Sequence, residues 1–238
     1  MQITLDSLKD GAKKATGTII IIDVFRAFTT AAVAFSKGAN SILLTEKIEE
    51  ATKLKQNQIA DITMGEVNGI KPLNFDYGNS PYEISISNNI SGLNIAQSTR
   101  SGTLGVSLAA KTNKSNHIFA TGLMTAKSTT DIIKNRNLDN IYIVAMGNKG
   151  IEKTEEDEIC ALYIKSLLEN KPIEKKHVID SIMKSESAKQ FNDITQPQFH
   201  PKDLDYALKI DSEKFAMEIT SKNKLLILKK IYNWLKQN

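Results

Sequence analysis

Short apolar runs bounded by polar residues and turn formers recur through the first two thirds of the chain and alternate with amphipathic stretches. Runs rich in Ile and Val at Gln2–Leu5, Thr18–Ile22, Ser41–Leu44, His117–Ala120 and Ile141–Ala145 predict strands. Helical spacing predicts helices over Thr29–Lys37, Ile48–Gln56, Leu104–Lys111, Ala126–Asn135 and Glu155–Glu169. The last is the clearest: Glu155 and Asp157 give an acidic first turn, and Ile159, Leu162, Tyr163, Ile164, Leu167 and Leu168 fill an apolar face. Such alternation predicts the α/β class, a three-layer α/β/α arrangement around a mainly parallel or mixed sheet. The segment from Met64 to Asn94 breaks the rhythm with glycines, prolines and asparagines, as a functional or a disordered insertion does, and its aromatic residues Phe75, Tyr77 and Tyr82 favour the functional one.

From about Lys171 the pattern changes. Ile179–Asn192 reads as a helix and Thr195–Pro201 as a connection. Over Phe215–Asn238, Leu225, Leu228, Ile231, Tyr232, Trp234 and Leu235 stand near helical spacing opposite several lysines, which predicts one amphipathic helix. The expected organisation is an α/β core over residues 1–170 and a smaller C-terminal α/β extension over 171–238, packed on that core or continuous with it as one domain. An amphipathic terminal helix would close the core or form an oligomer interface, so a homodimer is compatible with it.

Composition narrows the class. The chain has 238 residues, 41% hydrophobic and 24% charged, which suits a globular protein with a proper core. A net charge of +4 is too small to imply nucleic acid, and no run approaches the ~20 apolar residues of a membrane span. With Cys160 the only cysteine and no signal-like start, a cytoplasmic protein without nucleic-acid or membrane partners is expected.

Candidate chemistry gathers where loops should leave strand ends, the usual place for ligands in α/β proteins. Asp23 and Arg26 follow the run Ile19–Ile22, and Glu66 follows Gly65. Asp76 to Pro81 forms a turn-rich stretch, Ser98-Thr99-Arg100-Ser101-Gly102-Thr103 precedes a helix, and Glu155-Glu156-Asp157 opens another. Small hydroxyl residues around a glycine, a helix start and Arg100 together resemble an anion cradle. Asp23, Glu66 and the Glu155–Asp157 group are hard oxygen donors of the kind that suits Mg²⁺. Each taken singly reads more readily as a helix cap or a surface charge. The three histidines lack metal-ligand spacing, and Cys160 falls on a packed helix face. No nucleophile elbow, dinucleotide fingerprint or Asp-x-Asp phosphatase signature is present.

Taken in order, these clusters resemble the 2-phosphosulfolactate phosphatase family. The resemblance rests on IDVFRAFTTAAVAFSKGA at Ile22–Ala39, GEVNGIKPLNFDYGNSPYE at Gly65–Glu83, STRSGT at Ser98–Thr103, EDEICA at Glu156–Ala161 and DLDYALKID at Asp203–Asp211. It implies an α/β/α fold, Mg²⁺ dependence, and hydrolysis of a small anionic phosphoester to 3-sulfolactate and phosphate, a step of coenzyme M biosynthesis in methanogens. The residues it singles out are Asp23, Arg26 and Glu66 for catalysis, with Asp23, Glu66 and Asp157 as metal ligands. Asn79, Ser80, Thr99, Gly102 and Thr103, which keep the family pattern, would bind substrate phosphate together with Arg100 and Ser101 of the anion cradle. The chain departs from the family pattern at Val67, Ser101, Thr125 and Leu162, which leaves two other readings open. One is a phosphatase for another small phosphorylated hydroxy acid; the other is a non-catalytic anion-binding relative.

Overall fold

Four consecutive isoleucines, Ile19–Ile22, are β-branched residues that suit a strand buried on both faces. In the computed structural model, which describes residues 1–112 and 115–233, they alternate between two cores. Ile19 and Ile21 join one apolar cluster, Ile20 and Ile22 another. The strands are β1 Ile3–Ser7, β2 Gly17–Ile22, β3 Ser41–Thr45, β4 Ile62–Gly65, β5 Asn94–Ser98, β6 Ser115–Thr121, β7 Ile141–Ala145, β8 Phe215–Lys222 and β9 Leu225–Tyr232. The helices are α1 Leu8–Lys14, α2 Ala27–Ser36, α3 Ile48–Gln56, α4 Pro81–Ile86, α5 Gly102–Lys111, α6 Ala126–Asn135, α7 Glu155–Leu168, α8 Lys175–Met183, α9 Glu186–Lys189 and α10 Lys202–Ala207. Ala12 of α1, Phe28 of α2 and Val106 of α5 pack on one face of β2, and Ile132 of α6, Ile164 of α7 and Val178 of α8 on the other. The α/β/α layering expected from the sequence is the layering observed.

All nine strands form one mixed sheet in the order β1-β7-β2-β6-β8-β9-β3-β5-β4. The blocks β1-β7-β2-β6 and β3-β5-β4 are each parallel, and the β8–β9 hairpin sits between them, antiparallel to its neighbour on each side. Three antiparallel steps make the two blocks run in opposite senses. Each step also adds about 20–25° of twist, and the rotation accumulates across the hairpin. The loops after β2 and β5 meet: Gly102 N donates to Asp23 Oδ2 at 2.8 Å.

That hairpin corrects the helix expected over Phe215–Asn238. Lys222 pairs with Leu225 across a two-residue turn in which Asn223 and Lys224 both have positive φ, 51° and 64°, the geometry that matches strand twist. Leu228 is fully buried by pairing with β3, so the spacing of Leu225 and Leu228 reflects a central strand rather than a helix face. Trp234, Leu235 and Lys236, part of the same expectation, lie outside the described residues. The helix expected at Ile179–Asn192 is also divided: α8 ends at Met183, and Ser185 caps α9 by accepting from Ala188 N at 3.1 Å. The Met64–Asn94 insertion is ordered. Tyr77 exchanges backbone bonds with Thr63 and Gly65 beside β4, and the Asp76 carboxylate accepts from Thr63 N at 2.7 Å and from Lys55 Nζ at 2.5 Å. Among the described residues no helix is long and apolar enough to cross a membrane.

Candidate active site

Two helices begin at Asp23. Its Oδ1 accepts from Ala27 N at 3.0 Å, the first N–H of α2, and its Oδ2 accepts from Gly102 N, the first of α5. Both helix starts lack another side-chain cap, so one carboxylate serves two positive helix ends. Gly102 leaves room for this contact: a Cβ there would stand a tight 3.0 Å from Asp23 Oδ2 and from Ala27 Cβ. Glu66 repeats the device. Its Oε1 accepts from Arg100 N at 3.0 Å and its Oε2 from Gly69 N at 2.7 Å. The glycine before it, Gly65, brings the end of β4 against the end of β5, where a Cβ would meet Ser98 O at 2.0 Å.

The backbone N–H groups read from sequence as an anion cradle are therefore largely occupied by the protein itself. Gly102 N serves Asp23 and Arg100 N serves Glu66. Thr99 N donates to Thr103 Oγ1, which donates to Thr99 O at 2.7 Å. Thr99 and Thr103 are buried and fasten the loop from within, while Arg100 and Ser101 line a cleft of about 550 Å³. That volume suits a small-molecule site. Asp23, Arg26, Glu66, Asn79, Gly147 and Glu156 line the same cleft. Arg100 also donates to Asn68 Oδ1.

Of the sequence-predicted residues, Arg26 and Ser80 are committed inside the protein. Arg26 Nη1 donates to Asp203 Oδ2 at 2.7 Å and to Gln198 O at 2.8 Å, and Nη2 to Gly69 O at 3.4 Å. Its guanidinium lies over the Phe199 ring, 4.8 Å from the centroid. Ser80 donates to Asp203 Oδ1 at 2.6 Å and accepts from Glu83 N, capping α4. Asp203, fully buried on α10, thus fixes the arginine and the 79–82 turn together. Removing either member of such a pair leaves a buried charge unpaired, at a cost of about 3–5 kcal/mol. The motif around Asp203 was visible in the sequence, but nothing local marked it as Arg26's partner.

Asp157 stands apart from the cleft lining. Its Oδ1 accepts from Val24 N at 2.7 Å and its Oδ2 from Gly147 N at 2.8 Å, both buried. Its neighbour Glu156 lines the cleft and accepts from Ser187 Oγ. Adjacent helix positions point about 100° apart, so sequence could not decide which of the two faces the site. Of the four departures from the family pattern, only Ser101 lines the cleft. Thr125 is buried against Thr121 Oγ1 at 2.7 Å, and Val67 and Leu162 are exposed.

Electrostatics distinguish these carboxylates from surface ones. Burial lifts the Asp23 carboxyl from 3.8 to about 7 against the pull of its bonds to Ala27 and Gly102, and the charges of Glu66 and Glu156 add to the rise. Burial raises Glu156 as well, and it raises Asp157 well above the carboxylate range, with Glu156 and Asp23 contributing. Cys160 is fully buried and its thiol is pushed far up by that burial, which fits a packed residue rather than a nucleophile.

The donor set fits Mg²⁺. Asp23, Glu66, Glu152, Glu155, Glu156 and Glu186 line the cleft against Arg26, Arg100, Lys149 and Lys153, and Arg26 is already neutralised by Asp203. Asn79 Oδ1 is buried at the cleft without a hydrogen-bond partner. Among the described residues no three His, Cys, Asp or Glu side chains form a ready-made metal cage. Mg²⁺ commonly takes one or two carboxylates and completes its shell with water and substrate oxygens, which this set of hard oxygens can accept.

A family model described as 2-phosphosulpholactate phosphatase matches residues 4–222. The chain is 34% identical over 203 residues to a "Probable 2-phosphosulfolactate phosphatase" of Bacillus subtilis (strain 168), covering 84% of this chain and 86% of that protein. A protein of the same printed name from Thermoplasma volcanium is 31% identical over 206 residues, 86% of this chain and 91% of its own. One from Carboxydothermus hydrogenoformans is 35% identical over 172 residues, 71% and 67% respectively. By this match over nearly its whole length and by these relatives, the chain belongs to the 2-phosphosulpholactate phosphatase family.

Proposed function

We propose that this protein is a Mg²⁺-dependent phosphatase that hydrolyses 2-phosphosulfolactate to 3-sulfolactate and phosphate. The observation that carries the reading is the excess of carboxylates in a cleft belonging to a phosphatase family. Such a cleft repels a polyanionic ester unless a divalent cation stands between them. Asp23 and Glu66 would hold Mg²⁺, with Asn79 Oδ1 a further oxygen donor. When bound, the ion supplies charge neutralisation at the phosphoryl oxygens and a more acidic water.

The chain's own residues do the rest. Arg100 and Ser101 offer donors to the phosphoryl oxygens, stabilising charge as it develops. Glu156, made more basic than an ordinary carboxylate by burial, accepts the proton of the attacking water. The water oxygen bonds to phosphorus, the P–O ester bond breaks with its electron pair leaving on the alkoxide, and the proton taken up by Glu156 passes to that oxygen to give the hydroxyl of sulfolactate. Arg26 acts as a positioning residue: through Gly69 O and Gln198 O it holds two loops that line the cleft. That only Ser101 among the four departures reaches the cleft favours the family substrate over another hydroxy-acid phosphate.

The test is phosphate release from 2-phosphosulfolactate with Mg²⁺ or EDTA. Release that needs Mg²⁺ is expected. Release only from another ester would move the substrate assignment, and no release by folded protein would contradict the reading.

A further inference from the structure

One loop of the cleft has no part in the scheme above. After β7 the chain turns through Gly147, Asn148, Lys149 and Gly150, and Lys149 is held at φ 57° between glycines at 59° and 64°. A side chain with a Cβ is disfavoured in that left-handed region, and such residues gather at functional sites. The conformation is enforced from several sides. Asn148 N donates to Glu152 O at 2.8 Å and Ile151 N to Asn148 O at 3.0 Å. Gly147 N is anchored on Asp157 and Lys9 N binds Gly150 O. Gly147 could be no other residue, since a Cβ would lie 2.1 Å from Glu152 O. The loop is a rigid mount for Lys149, which lines the cleft half-buried.

The other cations of the cleft are engaged. Arg26 is paired with Asp203 and Lys153 lies 3.3 Å from Glu158, while Arg100, on the opposite loop beside Asn68, is assigned to the phosphoryl end. Glu152, the nearest carboxylate in sequence, takes the Asn148 side-chain amide at 3.2 Å. Among the described residues the Lys149 ammonium has no hydrogen bond or ion pair. Gln190, on the facing 186–199 segment, also lines the cleft without a side-chain bond among the described residues. An unpaired ammonium with three rotatable donors, carried on a held backbone, matches a tetrahedral anion whose charge is spread over three oxygens better than it matches a planar carboxylate, which favours a guanidinium fork.

We propose that Lys149 is the specificity residue that grips the non-reacting sulfonate end of the substrate. This rests on the phosphatase reading and adds to it the recognition of the acid end. The test compares wild type, Lys149→Gln and Lys149→Arg on 2-phosphosulfolactate, 2-phospholactate and isopropyl phosphate, and measures 3-sulfolactate binding by calorimetry. Lys149→Gln raises KM for phosphosulfolactate at least tenfold with kcat within about twofold, and weakens sulfolactate binding by a similar factor. Turnover of phospholactate and isopropyl phosphate stays within twofold, and Lys149→Arg recovers most of the loss. Equal losses on phospholactate would overturn the sulfonate assignment, and unchanged KM on all three would make Lys149 a bystander. If wild type hydrolyses none of the esters, the phosphatase reading fails on its own. In that case Lys149-dependent sulfolactate binding upholds the grip, and absence of wild-type binding refutes it.

Discussion

Asp23 at the end of β2 and Asp157 in the first turn of α7 are nearly the same object by local criteria. Each is almost fully buried, each accepts two backbone N–H groups at 2.7–3.0 Å, and burial raises the pKa of each. They differ in what lies beyond the hydrogen bonds. Both feel Glu156, but Asp23 opens on the cleft, whereas Asp157 is sealed between Val24 and Gly147 and clamps the loop after β2 to the loop after β7. A buried carboxylate satisfied by backbone donors is thus not by itself a sign of chemistry. Opening onto the cleft is what separates Asp23 from the clamp at Asp157.

Substitution should split the two most widely in turnover. Asp23→Asn removes a charge from the cleft and should lower kcat/KM by at least about 100-fold, more than loss of an outer-shell partner usually costs. Asp157→Asn should lose activity only as far as it loses folded protein, which circular dichroism on the same samples measures. Equal, fold-independent losses would erase the distinction.

Stability should sharpen the contrast. Asp157→Ala leaves the N–H groups of Val24 and Gly147 without their acceptor in a buried place, which should cost about 3 kcal/mol in urea unfolding. A cost below about 1 kcal/mol would mean that the clamp is dispensable.

The pH dependence is smaller and has a definite sign. Asp23 ionises near 3.8 in the unfolded chain and near 7 in the folded one. Between about pH 4 and 7 the folded chain holds a proton that the unfolded chain has released, so the contribution of Asp23 is full below pH 4, falls through this window, and is level above it. Asp23→Asn should flatten that slope. Because a cation replaces the proton, Mg²⁺ should raise Tm more at pH 8 than at pH 5 in wild type and in Asp157→Asn, but not in Asp23→Asn. A Mg²⁺ shift that ignores pH would contradict the assignment.

The parts of this protein readable from sequence were those whose signal is local. Ile19–Ile22, Ile48–Gln56 and Ala126–Asn135 carry their own periodicity, and the predicted bounds agree with β2, α3 and α6 to within a residue. The β8–β9 hairpin reads as a helix because Leu225–Leu228 form a short apolar run followed by lysines, so the leucines and Ile231 fall at helical spacing by coincidence in strands that are mostly half-buried. At the site, Asp23, Glu66, Arg100 and Ser101 were legible as polar residues after strands, and the cleft gathers them. What sequence could not supply was pairing over distance. Arg26 and Ser80 meet Asp203 on α10, and the cradle N–H groups meet Asp23 and Glu66 instead of an open cleft. Glu156 was passed over for Asp157 because one helical step decides between cleft and core, and Lys149 because a turn of Gly, Asn and Lys resembles an ordinary loop.

The central claim is that the cation sits with Asp23 and Glu66 rather than with Asp157. The most direct measurement is an anomalous-difference map from crystals grown with Mn²⁺ in place of Mg²⁺. The account predicts a peak within direct ligand distance, about 2.0–2.3 Å, of the Asp23 carboxylate in the cleft, absent in Asp23→Asn crystals. A peak bound to Asp157, or one that persists unchanged in Asp23→Asn, would contradict it.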